Sequence, residues 1–522
     1  MQRQWTRRRA LHTLLALAPM LAGCTVSGSV QQQRAQELTN ATATPTAAVS
    51  SASPNATGGP GTPVAATTTA GATVQPTFTP GGQVALRFGA AGLAPELDAY
   101  AAIATAYSKA TPNTTVTVER LPGDGVSSLA QALAAGAAPD VITLPWQQLA
   151  PWSGQGMLDD LTALLGATVL DTSGDFTNLQ QYGTMGGRTE ALPLSFNPRV
   201  LYVNLDLLGA AGLAAPGLTF DWQAFETAAT RMSDGATRTG FATDAAPFDW
   251  LPWVWAAGGS VFDNELDPTA CALSGDASVS GLQRFADLWL QHRGANAPGA
   301  TSSVSTPLDG FLAGNVGMVA GDRSSQAALQ QAKFKWQVTY LPQGPGGHAT
   351  TYDATFAAVT KSSRQPLVAG KLLSFLATAQ DAQLLLAKSG VVVPARIAAA
   401  TSPEMKPAGS AVDDTVYTKT LLFAYDPPRT SAWSQIQAAW EPELQQLWAG
   451  KRNAADTAKV VVSKVNDALH ALAATPTAAP FAIQLPATPT PAPSPGAPVP
   501  AASPGASPAA SASPTVLPTP TQ

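Results

Sequence analysis

Val84-Ala85-Leu86-Arg87-Phe88, Thr115-Val116-Thr117-Val118-Glu119-Arg120 and Asp140-Val141-Ile142-Thr143-Leu144 are three extended runs, and the two segments between them read as helices. Pro95 to Lys109 places Leu97, Tyr100, Ile103, Ala104 and Tyr107 on one face, with Pro95 suited to the first turn. Thr111-Pro112-Asn113 ends that helix. Val126 to Ala135 forms the second, ended by Gly136 and Pro139. Strand, helix, strand, helix, strand at this spacing predicts an α/β fold with a parallel sheet covered on both faces. Ligands of such sheets sit at the carboxyl ends of the strands. Three loops qualify: Gly89 to Ala94, Leu121 to Gly125, and Pro145 to Trp152. Asp124, in Gly123-Asp124-Gly125, reads as a turn residue.

Beyond this unit, Leu192 to Val203 reads as one long extended segment. Asp206 to Ala211 and Trp222 to Met232 read as helices, the latter capped by Thr219 or Asp221. Phe248 to Trp255 is dense in tryptophan. Helices are expected over Ser280 to His292, Leu308 to Ala313 and Pro366 to Ala377, and strands over Val316 to Ala320, Gln337 to Leu341 and Thr355 to Val359. Two amphipathic helices close the fold near Ser434 to Ala449 and Asp456 to Leu472. Their apolar stripes are Trp440, Leu444 and Leu447, then Val461, Val465, Ala468 and Leu472.

The flanks are of another kind. Arg3, Arg7, Arg8 and Arg9 precede a short apolar run from Ala10 to Ala22, which is too short to span a bilayer and reads as a secretion signal. Leu21-Ala22-Gly23-Cys24 resembles a bacterial lipobox, in which the cysteine is lipidated and becomes the new N-terminus. Residues 1–24 are therefore expected to be a lipoprotein signal; Thr6 to Leu11 also has some likeness to a twin-arginine export signal. Residues 25–82 and 474–522 are rich in Thr, Ala, Ser, Pro and Gly and cannot bury enough apolar surface to offset chain entropy. They read as an extended stalk and a tail on either side of a folded region spanning 83–473, long enough for two lobes. Of 522 residues only 12% are charged and the net charge is −5, so no basic footprint for nucleic acid exists. With Cys24 committed to the anchor, Cys271 stands alone and reads as a small buried hydrophobe.

Short patterns along the folded region resemble, in order, those of the extracellular solute-binding lipoproteins of bacterial ABC importers, in the sugar-binding group that includes maltose-binding protein. They are Ala137-Ala138-Pro139-Asp140-Val141-Ile142, Gly156-Met157-Leu158-Asp159-Asp160-Leu161, and Leu201-Tyr202-Val203-Asn204-Leu205-Asp206-Leu207-Leu208 with Ala211-Gly212-Leu213. Thr219-Phe220-Asp221-Trp222, Ala257-Gly258-Gly259-Ser260-Val261-Phe262-Asp263, Phe311-Leu312-Ala313-Gly314-Asn315-Val316-Gly317-Met318 and Leu341-Pro342-Gln343-Gly344-Pro345-Gly346-Gly347 continue the series. Leu205 and Asn315 stand where family members often carry lysine, and the tail lies outside the pattern. The resemblance implies a two-lobe periplasmic-binding-protein-like fold of type II, with parallel-sheet lobes joined by hinge strands. One lobe would hold about 83–192 and 305–359, the other about 198–304 and 361–473. It further implies a monomeric receptor on the extracytoplasmic face of the membrane, with a carbohydrate as ligand, an ABC permease as partner and no cofactor.

A sugar presents hydroxyls at its edge and C–H groups on its face, so its site needs aromatic planes with amides and carboxylates. The chain has twelve tryptophans. Trp146, the cluster Trp250, Trp253 and Trp255, and Trp433 fall where the resemblance places binding loops, although Trp packs cores equally well. The polar candidates are Gln147, Asn197, Asp322, Arg323, Tyr352 and Asp353, each of which also reads as a solvated loop residue.

Enzyme signatures are missing. His12, His292, His348 and His470 are scattered, and neither a P-loop nor a zinc-protease helix occurs. Asp263-Asn264-Glu265-Leu266-Asp267 lacks the glycine of a calcium loop and reads as a solvated turn. Two other readings stay open: a receptor for a polyamine, a ferric complex or a phosphodiester, and a tethered surface enzyme or sensor partner. For a phosphate ligand, Arg323 and Arg429 are the evident cations.

Overall fold

A computed structural model describes residues 82–123, 125–166, 170–218, 220–298, 306–406 and 412–474. The segments expected as signal, stalk and tail lie outside the described residues apart from Gly82 and Ala474, as do Cys24, Asp124 and Thr219.

The opening unit folds as its pattern predicts. Strand β1 (Val84–Ala90) pairs in parallel with β2 (Thr114–Arg120) on one side and β3 (Val141–Pro145) on the other. The helices Ala94–Ala110 and Val126–Ala134 connect them. Leu97, Tyr100, Ile103 and Tyr107 are buried against Leu86 and Phe88, the face anticipated from their spacing. The sheet then grows by antiparallel additions: β11 (Thr350–Val359) beside β3, β6 (Leu192–Pro198) beside β11, and β12 (Val393–Pro394) at the edge. The short β13 (Ala424–Tyr425) runs parallel to the start of β11. Helices Pro366–Thr378 and Gln380–Lys388 cover one face, where Leu372, Leu376 and Leu386 join the core of Leu86 and Phe88. Ile142, Leu144, Leu149 and Phe356 line the other face.

The second sheet has the order β10 (Trp336–Thr339), β7 (Val200–Asn204), β9 (Val316–Gly321), β8 (Thr239–Ala242). Helix Trp222–Met232 packs on it through Trp222, Phe225, Ala228, Ala229 and Met232. Asp221 caps this helix by accepting from the Ala224 N–H at 2.8 Å. The contact is tight: a β-carbon on Gly240 would lie 1.8 Å from the carbonyl oxygen of Ala229. The terminal helices Trp433–Trp448 and Ala454–Ala474 complete this lobe, with Trp440, Leu444 and Leu447 buried against Val461 and Val465. A β4–β5 hairpin (Thr184–Met185, Arg188–Thr189) lies outside both sheets.

Three expectations are corrected. The extended run from Leu192 to Val203 is two strands in two different sheets, divided at Arg199. Sheet membership also departs from the expected partition. β9 and β10, assigned to the first lobe, pair in the second sheet, whereas the helices over 366–388 pack on the first. The reason is the order of crossings: the chain returns to the first sheet only at β11, not near residue 305. Finally, Pro145 to Trp152 is not a loop but leads into the helix Trp146–Gly154, and Phe248 to Trp255 lies within the helix Pro247–Ala256. Pro151 and Pro252, inside these helices, obscured both patterns.

Candidate functional site

The site follows from the crossing between the sheets. Asp353 stands opposite Asn197 in the β11–β6 register. Arg199 occupies the crossing itself, and the next residue, Val200, pairs with Gly321 at the end of β9. Asp322 follows directly. Asn197, Arg199, Asp322 and Asp353 are thereby gathered from both lobes, and the N-terminus of the helix Pro247–Ala256 adds Phe248 and Asp249.

Hydrogen bonds fix most of these groups. Arg199 donates from Nη2 to Asp249 Oδ1 at 2.6 Å, and Thr243 donates to Asp249 Oδ2 at 2.9 Å. The main chain of Arg199 is held by β11: its N–H donates to Thr351 O at 2.9 Å, and its carbonyl accepts from Thr350 Oγ1 at 2.7 Å. Asp322 caps the helix Arg323–Leu329 through the Ser324 N–H at 2.8 Å, and its carbonyl accepts from the Tyr202 hydroxyl at 2.7 Å. Asn197 donates from Nδ2 to Val391 O at 3.1 Å, leaving its buried Oδ1 without a partner. Gln147 Oε1 is likewise buried and unpartnered.

Electrostatics mark the same place. Asp353 is solvent-accessible yet surrounded by protein, as in a groove, and this desolvation pushes its carboxyl up to about 6. Asp322 adds to the rise, whereas the main-chain N–H of Ala354, the indole of Trp146 and Arg199 oppose it. Glu96, in the first turn after β1, is pushed up to about 7 by burial, against the pull of the Tyr100 hydroxyl at 2.8 Å. Burial works against the charge on Arg199, but Asp249, Asp322 and Asp244 outweigh it and raise its pKa.

An aromatic group adjoins the carboxylates. Trp146, only 2% exposed, stacks on Phe248 (centroids 6.0 Å apart, 18° between planes) and meets Trp433 edge-on at 5.2 Å. Trp146 belongs to the first lobe, Phe248 and Trp433 to elements of the second, so these rings join the lobes beside the groove. The half-buried ring of Phe248, backed by Trp146 and neighboured by carboxylates and amides, can bind a small polyhydroxylated solute by C–H contact at the ring and hydrogen bonds at the polar groups.

The other sequence candidates are placed elsewhere. Trp250 packs edge-on against Trp440, and Trp253 stacks on Trp222 at 5.4 Å and abuts Phe225; both are core residues of the second lobe. Trp255 stacks on Tyr425 at 4.5 Å and donates to Glu265 Oε1 at 3.0 Å. Tyr352 points to the opposite face of β11 from Asp353, with its hydroxyl donating to Asp426 Oδ1 at 2.6 Å. Arg323 is fully buried, bonded to the Met405 carbonyl and, at 3.0 Å, to its sulfur. Arg429 ties Asp267 (2.7 Å) to the carbonyl of Gln181 (2.7 Å). Sequence reading missed Glu96, Arg199, Asp244, Phe248 and Asp249 as site residues. The signal for the last three was present, since all follow the carboxyl end of β8.

The stretch resembling a calcium loop is a turn. Asp263 accepts from the N–H groups of Asn264, Thr269 and Ala270 at 2.9 Å each, and Glu265 from that of Val261 at 2.8 Å. No cluster suited to a metal ion occurs among the described residues, nor does any helix there have the length and apolarity to cross a membrane.

Two α/β lobes joined by crossing strands, with polar and aromatic groups gathered at the crossing, define a two-lobe binding-protein fold. The chain belongs to the family described as bacterial extracellular solute-binding protein, which matches residues 90–383. It is 23% identical over 380 residues to a maltooligosaccharide ABC transporter solute-binding lipoprotein of Streptococcus pneumoniae, covering 70% of this chain and 85% of that one. A probable ABC transporter-binding protein of Deinococcus radiodurans is 28% identical over 302 residues, 53% of this chain and 68% of that one. Among solved structures, an ABC substrate-binding protein from Listeria monocytogenes in complex with cycloalternan matches with a TM-score of 0.65 at 20% identity, covering 74% of this chain and 99% of that one. A maltose-bound protein of T. maritima matches with a TM-score of 0.61 at 22% identity, covering 74% and 99%.

Proposed function

We propose that this protein is the receptor of an ABC importer, capturing a carbohydrate in the groove at the lobe crossing and delivering it to a membrane permease. The observation that carries the reading is the gathering of Asp353, Asn197 and Asp322 at the lobe crossing beside the half-buried ring of Phe248, which packs on the buried Trp146 next to Trp433. The sugars bound by related proteins support it. Lobe closure would bring Asp322 toward Asp353 around the ligand, moving about Arg199 and the other crossings. The ligand set is Trp146, Gln147, Asn197, Asp322, Asp353 and Trp433 from the sequence reading, joined by Phe248 and Asp244. Cys24 carries the lipid anchor, residues 25–82 and 474–522 act as stalk and tail, and the receptor works as a monomer without enzymatic activity.

Titration calorimetry with glucose, maltose and longer oligosaccharides tests the ligand. Saturable heat with a negative heat-capacity change, lost in Trp146→Ala, is expected. A flat response to the whole saccharide series would remove carbohydrate as the ligand. Replacement of Cys24 by alanine should shift the protein from the membrane fraction to the soluble fraction; unchanged partitioning would remove the anchor.

A further inference from the structure

The turn from Asp263 to Asp267 is built to hold one carboxylate in place. Asp263 accepts from the N–H groups of Asn264, Thr269 and Ala270, and Asn264 Oδ1 accepts from those of Leu266 at 3.0 Å and Asp267 at 3.1 Å. Glu265 Oε1 accepts from the Val261 N–H at 2.8 Å and from the Trp255 indole at 3.0 Å. Phe262 pairs with Cys271, whose N–H donates to Asn466 Oδ1 at 2.7 Å. The turn is thereby seated on the helix Ala454–Ala474 of the second lobe. The side chain of Asp267 is 50% exposed, so burial does not oblige it to find a partner.

Its partner comes from the last crossing between the lobes. β13 belongs to the first sheet and the helix Trp433–Trp448 to the second lobe, and residues 426–432 connect them. Asp426 accepts from Asn178 Nδ2 at 3.2 Å and from the Tyr352 hydroxyl at 2.6 Å, which holds the start of this crossing on the first lobe. Three residues on, Arg429 reaches both ways. Nη1 donates to the carbonyls of Gln181, at 2.7 Å, and Thr184 beside the first sheet, where Tyr182 stacks on Phe356 of β11. Nε and Nη2 grip the two oxygens of Asp267 at 2.8 and 2.7 Å, and the main-chain N–H donates to the carbonyl of Leu266. A second contact is independent of this pair. The Trp255 indole, fixed by Glu265 of the same turn, stacks on Tyr425 of β13 at 4.5 Å with 1° between planes. One turn of the second lobe therefore meets the first lobe at two points.

A two-pronged guanidinium–carboxylate contact fixes angle as well as distance. Lobes that rotate about their crossings have to strain or break whatever spans them. A half-exposed pair adds little to folding, a factor of up to about five in an equilibrium. That factor is nonetheless enough to change the ratio of closed to open protein. We propose that the turn is an inter-lobe clasp, in which Asp267 and Arg429 are positioning residues that touch no ligand but hold the lobes closed over it. The inference rests on the lobe closure proposed above and not on which solute is bound.

The test uses the full chain without ligand, carrying nitroxide labels at Lys109→Cys in the first lobe and Lys459→Cys in the second, in a Cys24→Ala background. Both lysines are exposed and Cys271 is buried. Double electron–electron resonance reads the separation of the lobes, and hydrogen exchange reads the Arg429 amide. Asp267→Ala should move the distance distribution toward the open separation, by up to about fivefold in the open-to-closed ratio, and speed exchange at Arg429 by a similar factor. Exchange at Val118 and Val319, inside the two sheets, should stay as in the parent. Asp267→Glu should restore the parent behaviour. Arg429→Lys, which keeps the charge but loses the fork, should resemble Asp267→Ala. Sodium chloride at about 0.5 M should open the parent and leave Asp267→Ala unmoved. Equal distance distributions in parent and Asp267→Ala would overturn the clasp, even with faster exchange at Arg429, since the pair would then be a local contact with no hold on the lobes. Calorimetry with maltotriose separates this from the ligand reading. Weaker binding by Asp267→Ala is expected, whereas no heat from either protein would remove that sugar and leave the clasp to be decided by the distances.

Discussion

Replacing Glu96 by glutamine should stabilise this protein at alkaline pH. Glu96 is 5% exposed in the first turn of the helix Ala94–Ala110. A helix N-terminus favours a carboxylate by about 0.3–1 kcal/mol at most surface sites. Here burial dominates and lifts the carboxyl from 4.5 to about 7. With about 1.4 kcal/mol per pH unit, that rise corresponds to about 3 kcal/mol. The sign follows from proton counting. Between the two values the folded protein keeps a proton that the unfolded chain has released, so stability falls as pH rises. The contribution is complete below the unfolded value of 4.5 and gone above about 7. Glutamine never ionises, and its amide oxygen can accept the bond that the Tyr100 hydroxyl now donates at 2.8 Å. Urea denaturation of both proteins at about pH 5 and about pH 8 measures the effect. The variant should match the parent within about 1 kcal/mol at the lower pH and exceed it by about 2–3 kcal/mol at the higher. A variant less stable than the parent at the higher pH, or equal pH slopes in the two proteins, would refute the reasoning.

Three further outcomes are expected. Gly240→Ala should lose about 3 kcal/mol or more in chemical denaturation, because its β-carbon would meet the Ala229 carbonyl at 1.8 Å and both groups are backbone. Trp440→Ala should lose about 3–5 kcal/mol, since the fully buried ring contacts Trp250, Phe262 and Trp433. Calcium or a chelator should leave the melting temperature unchanged, because the oxygens of Asp263 are occupied by Thr269, Asn264 and Ala270; a calcium-dependent rise would contradict that assignment.

Local pattern carried the opening unit because its chemistry is repetitive. Leu97, Tyr100, Ile103 and Tyr107 share a face at helical spacing, and the strands flanking their helix have one place to go. Trp222–Met232 as a helix was legible for the same reason, with its cap narrowed to Thr219 or Asp221, of which the structure uses Asp221. The Trp-rich helix was not. It is apolar around most of its circumference and holds Pro252, so periodicity is absent. Tryptophan identity did not separate Trp146, beside the groove, from Trp250 in the core; both are buried, and the difference lies in what packs around them.

The sequence by itself determined the α/β class, the helix faces and the family pattern, since each depends on residues near one another along the chain. Tertiary structure alone decided that Leu192–Pro198 and Val200–Asn204 belong to different sheets, and that β9 returns to the second. It also decided that Asp353, Asp322 and Arg199 meet. Strand pairing is a contest among distant segments of similar apolarity, and the charge environment of a carboxyl depends on atoms far from it in the chain, so neither is written in local order.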